Sequence, residues 1–270
     1  MMNEFTQVLT IGGSDSDGSA GIQADLKTFQ ANNVYGMSVL TAAVAGNSYG
    51  IHDQMLMPKS FIESQIKDIK DDFKVSAFKT GMLSDSNTIK TVANQIEDQQ
   101  FGFFVLDPVI ITKHGDMLLE QEAYKTLIED LFPLADLITP NYYEAQKLSG
   151  LELNSQDEII NAAKILQELG PKNVLIKGKH SKNETTDVED YVLLEDGTSF
   201  WFSQPFVDTE HINGTGDTLS STIVAQVALG KNLKESIEYA KKFTYQAIKN
   251  VIDVGHKYGP INHFIKNDII

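Results

Sequence analysis

Several things are missing or scarce in this sequence, and each absence removes a class of protein. There is no cysteine, which excludes disulfides, thiolate metal sites and a cysteine nucleophile. Basic residues are few: 22 Lys and Arg stand against 37 Asp and Glu, and the net charge of -15 disfavours nucleic acid and anionic membranes as partners. No apolar run approaches the roughly 18 residues that span a bilayer, and the amino terminus lacks the pattern of a signal peptide. We therefore expect a cytoplasmic enzyme of small-molecule metabolism.

Motifs of common nucleotide and metal sites are absent as well. There is no G-x-x-x-x-G-K-[ST] segment, which excludes a P-loop nucleotide hydrolase. The segment GTGDTL (214–219) lacks the last glycine of G-x-G-x-x-G and does not follow an early strand, which disfavours a dinucleotide-binding dehydrogenase. The histidines show no H-E-x-x-H or similar spacing, so a zinc site is not expected.

What the chain does contain is an alternation of short apolar segments with longer segments whose apolar residues recur every three or four positions. These predict strands at 7–11, 37–44, 76–80, 103–107, 136–140 and 173–177, and helices at 20–32, 59–73, 85–97, 120–131, 142–148, 156–169 and 215–229. Because the strands are mostly apolar, we expect helices on both faces of a parallel sheet. Glu-Asp-Gly within 191–202 indicates a hairpin at an antiparallel edge. We predict one α/β domain over residues 1–270, with the polar loop 180–190 as a flap.

Polar residues and glycines follow most of the predicted strands. In an open parallel sheet, ligands bind beyond the carboxyl ends of the strands. These ends carry GGSDSDGSAG (12–21), KTGM (79–82), DPV (107–109), KHGD (113–116), PNYYEA (140–145) and KGKH (177–180). The sequence therefore predicts one binding site along this edge of the sheet.

The segment INGTGDTLSS (212–221) leads directly into an apolar helical run. The peptide N–H groups of Gly214, Thr215, Gly216 and Asp217 would lack intrahelical partners and point outward with the positive end of the helix dipole, which makes an anion site. A carboxylate beside an anion site is explained if the anion is a phosphoryl group in transfer to a hydroxyl, because Asp217 can accept the hydroxyl proton. A capped helix start with an acidic first turn is the alternative on this segment alone.

A series of segments, in order along nearly the whole chain, resembles the ribokinase-like vitamin kinases. The segments are GSDSDGSAGIQADLKTF (13–29), YGMSVLTAAVA (35–45), FKTGML (78–83), LDPV (106–109), TPNYYEA (139–145), IKGKH (176–180), NGTGDTLS (213–220) and GPINHF (259–264). The branch they match best is hydroxymethylpyrimidine/phosphomethylpyrimidine kinase of thiamine biosynthesis, followed by the bacterial pyridoxal kinases. The resemblance implies a three-layer α/β/α fold with a mostly parallel sheet and an antiparallel edge hairpin. It also implies phosphorylation of a heterocyclic hydroxymethyl group by ATP with Mg²⁺.

The resemblance implies roles for the residues that handle the phosphates. Asp217 matches the catalytic base, with the anion hole formed at Gly214, Thr215 and Gly216. Asn141 and Glu144 match the pair that holds Mg²⁺ through water, which suits an ion that keeps several waters. Lys177 matches a residue that reaches the nucleotide phosphates; a solvated lysine at a strand end is the alternative. The segment AKKF (240–243) lies where the family usually has its adenine pocket.

The resemblance also implies a substrate pocket, in which Asp25 bonds the ring. The matching positions are Gly13, Asp25, Val44, Gly46, Met82 and Val109. Asp25 read without the family would be an exposed helical carboxylate, and Val44, Met82 and Val109 would be ordinary core.

This chain departs from the branch at a few positions. Gly46 stands where the pyrimidine kinases have a ring-binding Gln, Asp217 stands where they commonly have Cys, and Lys179 replaces a glycine. These departures leave two substrates open: the hydroxymethylpyrimidine with its monophosphate, which we expect, and pyridoxal or pyridoxine as the alternative. A catalytically silent relative that binds a vitamin precursor is the third possibility. A homodimer is the expected assembly.

Overall fold

A nine-stranded sheet forms the centre of the computed structural model, which describes residues 4–97, 101–111, 119, 121–179 and 186–265. The strand order is β3-β2-β1-β4-β5-β6-β7-β8-β9. The strands are β1 (Gln7–Asp15), β2 (Tyr35–Asn47), β3 (Gly50–Leu56), β4 (Val75–Thr80), β5 (Phe103–Leu106), β6 (Leu137–Ile138), β7 (Asn173–Ile176), β8 (Asp187–Leu193) and β9 (Ser199–Pro205). From β2 through β1, β4, β5 and β6 to β7 the strands pair in parallel, so their carboxyl ends meet along one edge.

Helices cover both faces of this sheet. They are α1 (Gly21–Ala31), α2 (Lys59–Asp72), α3 (Ser86–Glu97), α4 (Gln121–Thr126), α5 (Tyr142–Ser149), α6 (Gln156–Glu168), α7 (Thr215–Ala228) and α8 (Leu233–Lys249). Leu9 and Ile11 pack with the buried residues of α2 to α6, whereas their neighbour Val8 packs with those of α1, α7 and α8. This alternation places the β1 side chains in two separate cores. The predicted three-layer α/β/α fold is confirmed.

The predicted edge hairpin is also confirmed. β8 and β9 pair antiparallel, and β8 pairs antiparallel with β7. A tight turn joins the two strands, with the N–H of Leu194 donating to the carbonyl of Thr198 at 2.8 Å. Residues 180–185 of the predicted flap, and the segments KHGD (113–116) and Glu120, lie outside the described residues.

Two elements were not predicted. β3 pairs antiparallel with β2 at the other edge, and all of its residues are exposed, so it shows no buried face that a hydropathy pattern reveals. Helix α8 does carry sequence signals, because Asn232 caps it by accepting from the N–H of Glu235 and its buried residues recur at helical spacing. The predicted helix at 120–131 is α4 continued by a π turn, Leu127–Leu131, and a 3₁₀ turn, Phe132–Leu134. Along the described part of the chain, no helix combines the length and apolarity needed to cross a bilayer.

Candidate active site

Helix α7 begins at a turn that requires glycine. Gly214, its N-cap residue, has a φ of 80°. A Cβ at this position would lie 2.1 Å from the carbonyl oxygen of Ser19. The left-handed backbone and the close approach both exclude a side chain. This contact seats the first turn of α7 against the loop that follows β1.

The first turn of α7 presents free peptide N–H groups. Within the described residues, no acceptor is bonded to the N–H of Gly216 or Asp217. Thr215 is different, because its N–H and its hydroxyl both donate to the carbonyl of Ile212, at 3.3 and 2.7 Å. Gly216 and Asp217 therefore offer donors to an anion at the positive end of the helix, whereas Thr215 closes the turn.

Asp217 is a carboxylate with a strongly altered affinity for protons. Its side chain is 21% exposed. Burial raises the pKa of Asp217 from 3.8 to about 7; the positive charges of Lys79 and Lys177 oppose this rise, and the negative charges of Asp25 and Asp107 add to it. A group that titrates near neutral pH is suited to accept a proton during a reaction.

An ion pair lies directly beside this turn. Asp107 follows β5 and Lys177 follows β7, and the Nζ of Lys177 lies 3.1 Å from Oδ1 of Asp107. A Cβ on Gly216 would lie 3.3 Å from Oδ2 of Asp107 and from the Nζ of Lys177. Burial alone would lower the pKa of Lys177, but Asp107 and Glu144 raise it, so the lysine stays protonated. In the sequence Asp107 was part of the strand-end segment DPV (107–109) and of the matching segment LDPV (106–109), but it was not given a role.

Asn141 and Glu144 form a capping box at the start of α5. The side chain of Asn141 accepts from the N–H of Glu144 at 3.0 Å, and Oε2 of Glu144 accepts from the N–H of Asn141 at 2.7 Å. Burial raises the pKa of Glu144, and the charge of Lys177 opposes that rise. No group of three or more His, Asp or Glu side chains in the described chain is placed to hold a metal ion alone.

A strained backbone position lies next to this box. Val109 has a φ of 47°, which is a rare conformation for a β-branched residue. The following N–H, of Ile110, donates to Oε1 of Glu144 at 2.8 Å. The buried carboxylate therefore stabilises the turn that presents Val109, a relation between distant segments that no local pattern reveals.

These elements enclose a cavity of about 310 Å³ at the carboxyl ends of the strands. Most of the site residues expected from the sequence line it, namely Gly13, Asp25, Val44, Met82, Val109, Asn141, Glu144, Lys177, Gly216 and Asp217. Gly214 is packed on Ser19 beneath the turn. Gly46 lies at a register shift between β2 and β3, where a Cβ would be 3.1 Å from the carbonyl oxygen of Gly50. The structure thus brings most of the expected residues to one place, whereas Gly46 is not among the residues that line the cavity.

Asp25 lies at the floor of the cavity and is almost fully buried. Its carboxylate accepts from the hydroxyls of Thr10 and Ser221, both at 2.6 Å, and pairs with Lys79 at 2.5 Å. The exposed helical aspartate of the alternative interpretation is therefore excluded. Lys79, which the sequence did not mark as a site residue, is fully buried.

A second cavity adjoins the first across Lys177, which lines both. Thr215, Lys241 and Thr244 also line it. Within the described residues, the buried hydroxyl of Thr244 has no hydrogen-bond partner. Lys241 belongs to the AKKF segment, and its Nζ lies 2.7 Å from Oδ2 of Asp190.

Comparisons with known proteins agree with this geometry. The sequence pattern of the phosphomethylpyrimidine kinase family matches residues 15–262. A hydroxymethylpyrimidine/phosphomethylpyrimidine kinase from Haemophilus influenzae is 44% identical over 264 residues, which cover 97% of this chain and 98% of the relative. The structure of an ADP complex of Bacillus subtilis pyridoxal kinase is 38% identical, with a TM-score of 0.87, over 96% of this chain and 98% of that one. The structure of phosphomethylpyrimidine kinase from Clostridium difficile is 37% identical, with a TM-score of 0.79, over 90% of this chain and 99% of that one.

Proposed function

The chain belongs to the phosphomethylpyrimidine kinase family, and from that premise we propose that it transfers the γ-phosphoryl group of ATP to the hydroxymethyl group of 4-amino-5-hydroxymethyl-2-methylpyrimidine and then to the resulting monophosphate. Both steps belong to thiamine biosynthesis, and the enzyme is a phosphotransferase with an alcohol group as acceptor. The observation that carries the proposal is Asp217, a carboxylate titrating near neutral pH at a helix start with free N–H groups, on the wall of a cavity shared with Lys177.

Asp217 is the proposed general base. As the hydroxymethyl oxygen forms its bond to the γ-phosphorus, the bond from that phosphorus to the departing ADP oxygen breaks, and the hydroxyl proton passes to Asp217. Attack requires the oxygen to approach to roughly 3 to 3.5 Å, in line with the leaving oxygen. A base with a pKa of about 7 is largely ionised at slightly alkaline pH and is still basic enough to take the proton.

The charge that develops on the phosphoryl group is met by fixed donors. The N–H groups of Gly216 and Asp217 point from the first turn of α7, and the ammonium of Lys177 is held beside them by Asp107 at 3.1 Å. Because the donors are already in place, they need little reorganisation as negative charge builds up. This support for phosphoryl transfer is independent of which ring is phosphorylated.

The divalent ion that the family implies is Mg²⁺, and the residues present fit it. Both Asn141 and Glu144 line the cavity, and Oδ1 of Asn141 and Oε2 of Glu144 each accept one backbone N–H, which leaves each a lone pair for a water through which they would hold the ion. Bound there, Mg²⁺ supplies positive charge to the phosphates.

We place the adenine of ATP in the second cavity, next to Lys241 and Thr244. The cavity shares Lys177 with the first one, so a base bound there would direct its phosphates toward Lys177. The hydroxyl of Thr244, which has no partner among the residues that the structure describes, is a group that a base edge can satisfy.

The ring is proposed to lie against Gly13, Val44, Met82 and Val109, with Asp25 at the floor. Two observations keep pyridoxal as the alternative substrate. Gly46 offers no side chain to the ring, and the Bacillus subtilis pyridoxal kinase of known structure is 38% identical in sequence. The family match and the Haemophilus influenzae relative favour the pyrimidine.

The substrate is tested by following ATP consumption with Mg²⁺ and each of hydroxymethylpyrimidine, its monophosphate, pyridoxal and pyridoxine. We expect turnover of the two pyrimidines. Preference for pyridoxal would contradict the proposed substrate but not the proposed mechanism. Ring binding without any turnover would indicate a catalytically silent relative.

Asp217→Asn tests the base. The variant is expected to fold and bind substrate but to lose about 10² to 10⁴ in kcat. Wild-type turnover in this variant would remove Asp217 from that role.

We further propose that the chain acts in the cytoplasm as a single-domain kinase that forms a homodimer through the β3 edge. β3 is an outer strand with unpaired backbone groups, and it exposes Ile51 (63%) and Met55 (64%). Sedimentation of the wild type and of Met55→Lys tests this assembly. A wild-type monomer at micromolar concentration would contradict it.

A further inference from the structure

Lys79 is an ammonium group placed in the core of the protein. It lies on β4, is fully buried, and is among the largest side chains with almost no exposure. It does not line the cavity, so it is unable to contact a substrate directly. A buried charge is costly unless it is paired and hydrogen-bonded, so this lysine requires an explanation.

Beneath Lys79 lies a complete set of partners. Its Nζ is 2.5 Å from Oδ1 of Asp25, and the same carboxylate is held by the hydroxyls of Thr10 and Ser221. These residues come from β1, α1 and α7, so three elements fix the position of the ammonium. Burial alone would lower the pKa of Lys79, but the charges of Asp25 and Asp217 raise it, so the lysine stays protonated.

Above Lys79 lies the proposed base. The Nζ of Lys79 is 3.5 Å from the carbonyl oxygen of Asp217 and 3.9 Å from Oδ1 of Asp217. The Lys79–Asp25 pair is neutral as a whole, but its positive end is the one that contacts Asp217. Building on the proposed function, we infer that Lys79 is a positioning residue. Its fixed ammonium orients the Asp217 carboxylate at the cavity wall and favours its deprotonated, proton-accepting form.

The other charges around Asp217 do not duplicate this role. Asp25 and Asp107 are negative and favour protonation of Asp217, whereas Lys79 and Lys177 are positive and oppose it, Lys79 more strongly. Lys177 is itself paired with Asp107 and lies on the cavity, where phosphates would take up its charge. Lys79 is shielded from the substrate, so its effect on Asp217 persists whether or not nucleotide is bound.

The test uses Lys79→Met, Asp25→Asn and the double variant Lys79→Met/Asp25→Asn. Lys79→Met leaves Asp25 buried without its cation and is expected to fold poorly. The double variant leaves no unpaired charge in this pair and keeps a side chain for Thr10 and Ser221 to bond. The titration midpoint of Asp217 is measured by carboxyl ¹³C NMR and assigned with Asp217→Asn. Removal of Asp25 alone lowers this midpoint, so the double variant is compared with Asp25→Asn, and in the folded double variant we expect the midpoint to lie about one pH unit above that of Asp25→Asn.

The same variants are assayed for kcat/KM from pH 6 to 9. Relative to Asp25→Asn, the acidic limb of the double variant's profile should move upward with the NMR midpoint. At the midpoint pH of Asp25→Asn, activity should therefore fall about fivefold, and it should largely return two pH units higher. KM is followed separately, because Asp25 is itself an expected ring contact. Ser221→Ala is the matched control: it removes a hydrogen bond from Asp25 without changing any charge, and its midpoint should stay at the wild-type value.

Equal Asp217 midpoints in the folded double variant and in Asp25→Asn would overturn the inference and reduce Lys79 to a core partner of Asp25. So would an equal shift in Ser221→Ala, because any disturbance of the cluster would then have the same effect. If the wild type phosphorylates none of the rings, the proposed function fails, and the NMR midpoints still decide what Lys79 does to Asp217.

Discussion

Replacing Asp217 by Asn should make the protein more stable at pH 8 while it removes activity. The pKa of Asp217 is about 7 in the folded protein and 3.8 as an ordinary carboxyl. A difference of about three pH units corresponds to at most about 4 kcal/mol of unfolding free energy. Asn has the same shape and no charge to desolvate, so the variant avoids this cost.

The sign of the effect sets its pH dependence. Between pH 3.8 and about 7, folded Asp217 keeps a proton that the unfolded chain has released. The free energy of unfolding therefore falls in the wild type as pH rises through this window, and the loss is complete above pH 7. Asp217→Asn lacks this contribution. The two proteins should be similar in stability near pH 4 and should separate progressively toward pH 8.

Urea unfolding at several pH values measures this difference, with the fluorescence of the single tryptophan as the signal. Asp130→Asn, a change at an exposed carboxylate, is the matched control and should show no comparable pH-dependent gain. A variant that is less stable than the wild type at pH 8, or a difference that does not vary with pH, would refute the argument that burial of Asp217 sets its pKa.

Three further predictions follow from the same site. In the wild type, kcat/KM should decline with unit slope below a pH of about 7, as Asp217 becomes protonated; a flat profile from pH 5.5 to 8 would contradict this. Lys177→Met should lower kcat by about 10² to 10³ in the ATP assay, because a fixed charge beside the transferred group is lost and Asp107 is left unpaired. Gly214→Ala should lower the free energy of unfolding by about 2 kcal/mol or more in urea titrations, since its Cβ would lie 2.1 Å from the carbonyl oxygen of Ser19; near-wild-type stability would contradict the tight turn.

The fold was predictable from the sequence wherever burial alone determines the pattern. Apolar runs identified the parallel strands because both of their faces are covered, and the Glu-Asp-Gly turn identified the β8–β9 hairpin. β3 was not predicted, because it is held by backbone pairing with β2 while its side chains are exposed to solvent. A hydropathy pattern records burial and carries no signal for such a strand.

The site shows the same division. Asp217 and its glycines were predictable because their anion-binding role depends on groups that are adjacent in sequence. Lys79 and Asp107 were missed because their role depends on partners from distant segments, 54 positions away for Asp25 and 70 for Lys177. The strand-end segment KTGM (79–82) marks the neighbourhood of Lys79, but it does not distinguish a buried lysine from a solvated one. The packing of α1 and α7 on the sheet buries Lys79 and brings its ammonium next to Asp25 and Asp217.

The charge of the whole protein and the charge of its site act over different distances. A net charge of -15 repels ATP and a phosphorylated ring, but at physiological ionic strength charges more than about 8 Å apart in solvent are largely screened. Inside the cavity the nearest groups dominate, namely Lys177 at its wall, with Lys79 buried behind Asp217, and the N–H groups of α7. Peptide N–H groups add donors without adding net charge. An acidic surface is therefore compatible with phosphate chemistry, provided that the positive groups are held in place, as the buried carboxylates Asp25 and Asp107 hold these two lysines.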